Sequence, residues 1–161
     1  MATNAQADTA TDRIERSIVI DAPRERVWRA IADAGEFGTW FGANLQGQAF
    51  AAGRRVRGPI SIGGFEHVQL DLLTERVEPQ RLLSFRWRPY AIEADVDYSR
   101  ETPTLVTFTL EDAPGNATRL TVVESGFDNV PPHRRLQAFR MNSKGWDAQM
   151  GNIARHVGKS K

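Results

Sequence analysis

Apolar and polar positions change period twice along this chain, and the changes divide it into three stretches. From Ile14 to Ile20 the pattern alternates, with Ile18 and Ile20 on one side and Ser17 and Val19 on the other, which predicts a strand. Asp21-Ala22-Pro23 then opens a helix over about 24–33. Pro23 at a first helical position gives up no needed N–H, and Glu25 suits the first turn. Val27, Ala30, Ile31 and Ala34 recur at i, i+3, i+4 and i+7 as the stripe to be buried. Gly35 and Gly38 interrupt the helical pattern around a short aromatic segment, Phe37 to Phe41 with Trp40.

The second stretch has period two. Strands are predicted at Arg54–Ile60, Phe65–Val77, Arg81–Trp87, around Val106-Phe108-Leu110, and at Thr118–Glu124. Gly63-Gly64, Pro79-Gln80 and Ala113-Pro114-Gly115-Asn116 supply turns, and residues 89–103 form a longer connection. Leu73 falls outside the alternation of Val68, Leu70 and Leu72, which marks a bulge or bend. No helical text separates these strands, so the sheet is expected to be antiparallel. The third stretch is one helix over 132–157, started by Pro131-Pro132. Leu136, Phe139, Trp146, Met150, Ile153 and Val157 form its apolar stripe. Gly145 inside it disfavours helix, and close approach to the sheet or room beside Trp146 is the expected reason.

Composition narrows the class. The 161 residues suit a single domain, with residues 1–13 as a polar, disordered lead-in and 14–158 as the folded unit. No apolar run approaches the ~20 residues that span a bilayer, so no membrane role is expected. The chain has no cysteine, which excludes disulfides and thiolate chemistry and fits the cytoplasm. A net charge of +1 gives no field for nucleic acid, and Arg54-Arg55-Arg57 reads as a solvated strand face.

The motifs, in this order, carry a resemblance. Ile20-Asp21-Ala22-Pro23 through Val27-Trp28 and Ala30-Ile31, followed by Phe37, Trp40 and Phe41, resembles the opening of the START-like, Bet v 1-type helix-grip superfamily. Glu124-Ser125-Gly126-Phe127 and Gly145-Trp146 resemble the branch named after the activator of Hsp90 ATPase. Leu82-Leu83-Ser84-Phe85-Arg86-Trp87 and Thr118-Arg119-Leu120-Thr121 sit where that branch has similar text. The resemblance covers about residues 14–158. It implies an α+β helix-grip fold, in which a bent antiparallel sheet of six to seven strands wraps a long C-terminal helix. Two short helices follow the first strand, and a cavity lies between sheet and long helix. The family holds lipid and flavonoid binders, receptors, cyclases and a co-chaperone domain. The eukaryotic co-chaperone has a separate Hsp90-binding domain for which this chain offers no room, so an Hsp90 partnership is not expected.

Candidate chemistry follows from the remaining polar residues. His67, His133 and His156 have no ligand spacing, so no metal site is expected, and no cofactor motif is present. Glu93, Asp95 and Asp97 read as a solvated acidic loop rather than a cation site. The candidate ligand-binding residues are the inward aromatics Trp40, Phe41, Trp87, Tyr90, Phe108, Phe139 and Trp146, with the polar Arg86, Glu124 and Asn142 to orient a ligand. Glu124 continues the inward parity of Leu120 and Val122, so it needs a partner, expected to be Arg86 or an arginine of the last helix. The leading expectation is a binder of a small apolar or aromatic molecule, lipid included, and not an enzyme. A cyclase or aromatase using pocket acid–base groups and an interaction module of chaperone or stress biology are the alternatives. A homodimer stays open.

Overall fold

The computed structural model describes residues 12–159. The lead-in expected at 1–13 lies outside the described residues as far as residue 11. Alternation at the start gives β1 (Arg13–Ile20), and Pro23, extended in backbone, caps α1 (Arg24–Ala32). Asp33 breaks the helical path with φ −83° and ψ 115°, and its carboxylate accepts the N–H of Glu36 at 2.9 Å. That cap starts α2 (Ala34–Phe41), so Gly35 and Gly38 lie inside a second helix rather than ending the first. Gly42, at φ 104°, closes α2 in the left-handed conformation, its N–H on the Gly38 carbonyl at 2.8 Å.

Five strands follow: β2 (Arg55–Pro59), β3 (Gln69–Glu78), β4 (Leu82–Trp87), β5 (Thr104–Ala113) and β6 (Ala117–Ser125). Each pairs antiparallel with its sequence neighbour, and β1 returns to pair with β6, giving the order β1-β6-β5-β4-β3-β2. The result is a bent six-stranded sheet around a long helix. Its register shifts between Thr74 and Arg76, so the bulge expected at Leu73 lies just beyond it. Leu73 itself keeps the alternation and points outward, 38% exposed. Edge strand β2 lies hard against the preceding loop, since a Cβ on Gly58 would stand 1.9 Å from the Asn44 carbonyl oxygen.

The closing helix, α3 (Pro132–Lys159), runs about 42 Å at 1.5 Å per residue. Ala138, Trp146, Met150, Ile153 and Val157 are its buried face. Leu136 is not part of that face. At 100° per residue it sits some 80° around the helix from Trp146, and it is half exposed. Gly145 makes no close approach to the sheet, because a Cβ there would meet nothing within 4 Å. The helix is tied to the sheet by Arg16 and Asp147 at 2.6 Å and to α2 by Gln149 on the Phe41 carbonyl at 2.9 Å.

Candidate functional site

β4, β5 and β6 end together at one edge of the fold, and there Trp87, Thr104 and Glu124 meet the inner face of α3. Glu124 is wholly buried, and among the described residues no arginine pairs with it. Its two oxygens take four neutral donors. Trp87 Nε1 at 2.7 Å and the Thr104 hydroxyl at 2.6 Å donate to Oε2, while Trp146 Nε1 and Asn142 Nδ2, each at 2.9 Å, donate to Oε1. Each oxygen thus accepts two hydrogen bonds. Trp87 and Trp146, both held by this one group, also stack on each other at 5.7 Å and 29°.

Beyond Trp87 the floor opens into a cleft of about 580 Å³. One wall is residues 60–71, where the chain leaves β2 and enters β3, and the other is the β4–β5 connection from Arg88 to Ser99. Ile62, Phe65 and Val96 expose 49%, 39% and 47% of their surface around this opening. The walls touch through His67, whose Nε2–H donates to the Ile92 carbonyl at 3.0 Å. At the rim Arg55 binds both oxygens of Asp71 at 2.8 and 3.2 Å, and this hydrogen bonding and attraction push the guanidinium pKa up. Its charge is committed to Asp71. The Ser99 side chain and amide hold the exposed Asp97 carboxyl below the usual range. Among the described residues no three His, Asp or Glu side chains are placed to hold a metal ion.

Arg134 fixes the second wall. From the first turn of α3 it pairs with Glu101, both side chains nearly buried at 11% and 13% exposure. It also donates to the Pro89 carbonyl at 2.8 Å and lies 4.8 Å from the Tyr98 ring centre. One side chain thus gathers both ends of a connection with no strand pairing of its own. Arg134→Ala is expected to cost about 2 kcal/mol, as hydrogen bonds to a charged group are lost. Hydrogen exchange should then speed up at 89–101 and not in β5 or β6; uniform change would place the anchor elsewhere.

Of the ten residues singled out from sequence, Trp87, Tyr90 and Asn142 line the cleft. Glu124 and Trp146 stand directly behind it. Trp40, Phe41 and Phe108 belong to the packing beneath: Trp40 donates its indole N–H to the Ala30 carbonyl at 2.8 Å, and Phe108 is fully buried. Phe139 packs edge-on against Phe127 at 5.3 Å. Arg86 is a correction. It lies on the opposite face of β4 from Phe85 and Trp87 and pairs with Glu75. The expected space between sheet and helix is likewise displaced, because Phe108 and Trp146 meet at 5.7 Å and the cleft opens at the strand ends instead. Sequence reasoning missed Ile62, Phe65, His67, Ile92 and Val96. Ile62, Ile92 and Val96 gave only the signal of isolated apolar residues outside the strands, whereas Phe65 and His67 fall where a strand was expected and β3 begins only at Gln69.

A bent antiparallel sheet gripping one long helix, with a cleft at its open end, defines the helix-grip class. The family described as activator of Hsp90 ATPase homolog 1-like protein matches residues 21–158, and the chain belongs to it. No curated protein matches the chain. Among solved structures it is similar to DynU16, a protein in the dynemicin biosynthetic locus, at 25% identity and a TM-score of 0.67. That match covers 93% of this chain and 48% of the other, so this chain spans about half of DynU16. Protein MLL2253 from Mesorhizobium loti is 25% identical, with a TM-score of 0.70 over 92% of this chain and 98% of that one. The Aha1 dimer from Colwellia psychrerythraea shares the fold at 16% identity and a TM-score of 0.64, over 90% and 95% of the two chains. No described helix is long and apolar enough to cross a membrane.

Proposed function

We propose that this chain binds a small, apolar or aromatic molecule in the cleft between residues 60–71 and 88–99. The observation that carries the proposal is the cleft itself. Its volume lies in the range of small-molecule sites, and it gathers exposed apolar side chains around an indole floor with a few polar groups. Ile62, Phe65 and Val96 sit in surface connections, where apolar exposure has no packing role of its own. The likeness to a protein of a biosynthetic locus is compatible with small-molecule handling. Binding is favoured over acid–base catalysis because Glu124, the one fully buried carboxylate among the described residues, spends both oxygens on structural donors.

A panel of flavonoids, phenolics and fatty acids tests this by thermal shift and tryptophan emission. A ligand at 100 times its dissociation constant adds about 2.7 kcal/mol to stability, a rise of several degrees in a domain of this size. Phe65→Asp, on an exposed rim position, should abolish both signals without changing the melting temperature of the free protein. A panel that moves neither signal ends the proposal.

A further inference from the structure

The inner wall of the cleft is set by Glu124, and that determines what the wall can offer a ligand. Asn142 lines the cleft and gives one amide hydrogen to Glu124 Oε1. The reversed amide would press its oxygen against a carboxylate oxygen, so the carboxylate fixes the orientation. Among the described residues no hydrogen bond is made by Asn142 Oδ1, which is not an enclosed atom; on a side chain that lines the cleft it is available to accept one from a ligand. Trp87 is constrained in the same way. Its only side-chain polar atom is bound to Glu124 and one face is stacked on Trp146, so it presents apolar indole surface to the cleft.

We infer that Glu124 is a positioning residue that makes the cleft select flat aromatic molecules carrying a hydrogen-bond donor, such as a phenolic hydroxyl, by aiming the Asn142 oxygen beside the Trp87 ring. This rests on the binding proposal above and goes beyond it in naming the ligand's chemistry. A wall with a fixed acceptor next to an indole rewards a ring with an O–H or N–H. It leaves its own oxygen unsatisfied against the corresponding ether or hydrocarbon.

Three probes of one shape separate the possibilities: 2-naphthol, 2-methoxynaphthalene and naphthalene, titrated calorimetrically into the full chain. The wild-type protein should bind 2-naphthol about tenfold more tightly than the methyl ether, the worth of one hydrogen bond. Asn142→Leu, at a half-buried helix position, should bring that ratio within about twofold while the methyl ether still binds, since the acceptor is removed and Glu124 keeps Trp87, Thr104 and Trp146 as donors. Glu124→Gln should also narrow the ratio, because glutamine supplies its own amide and lets Asn142 turn over. If that variant does not fold, Asn142→Leu decides alone. A wild-type protein that binds naphthol and ether equally overturns the inference and leaves the cleft proposal standing. A preference that survives Asn142→Leu overturns it too. Failure of all three probes to bind sinks both.

Discussion

Glu124→Ala is expected to lower the unfolding free energy by about 4 kcal/mol or more, a drop of roughly 10 °C or more in Tm. The loss comes less from the bonds than from what they leave behind. Two indole N–H groups, an amide and a hydroxyl have been built around one carboxylate, and alanine offers none of them an acceptor. Each unsatisfied buried group costs about 1–3 kcal/mol, and the sum is tempered because water can enter from the cleft side. Glu124→Gln keeps the volume and one acceptor and should be milder. Urea denaturation with an unchanged m-value measures the difference. A cost below about 1 kcal/mol for the alanine variant would mean the four donors find other partners, and the positioning role would fall with it.

The second large effect is expected at Phe37. No solvent reaches it, and its ring meets five others: Trp40 at 4.7 Å, Phe41 at 5.1 Å, Phe50 at 5.5 Å, Phe85 at 6.1 Å and Phe108 at 6.2 Å. This ring joins α2 to the sheet, so Phe37→Ala opens a cavity where rigid aromatics can collapse least. The cost should be about 3–5 kcal/mol. Leu136→Ala is the internal control, since its side chain is half exposed and should lose no more than about 0.5 kcal/mol. Similar losses at the two positions in chemical denaturation would contradict the packing described.

The elements of the fold were legible because each stretch keeps its own period. Alternation from Ile18 to Ile20 and from Leu120 to Glu124 placed the faces of β1 and β6, and the inward parity of Glu124 could be read from Leu120 and Val122. Its partners could not. Charge reasoning looks for a cation, whereas neutral N–H donors arrived from β4 and α3, 37, 22 and 18 residues away in sequence. Arg86 was misjudged for a related reason, since being near Trp87 in sequence puts it on the opposite face of a strand. Leu136 shows the limit of counting spacings, as a step of three followed by one of seven drifts off the helix face. The cleft was the least visible part. Residues 88–103 have no period and residues 65–68 read as strand; the His67–Ile92 hydrogen bond joins the two segments, while Arg134 gathers the second.

An aromatic ligand is expected in the cleft rather than in the space beneath α3. A titration of ¹⁵N-labelled protein with 2-naphthol, followed at the indole N–H resonances of the four tryptophans, tests it most directly. Trp87, on the cleft floor, should shift progressively and saturably, with Trp146 behind it following more weakly. Trp40, bonded to the Ala30 carbonyl under α2, should stay still. A titration that moves Trp40 while leaving Trp87 unchanged would put the ligand elsewhere and contradict the account.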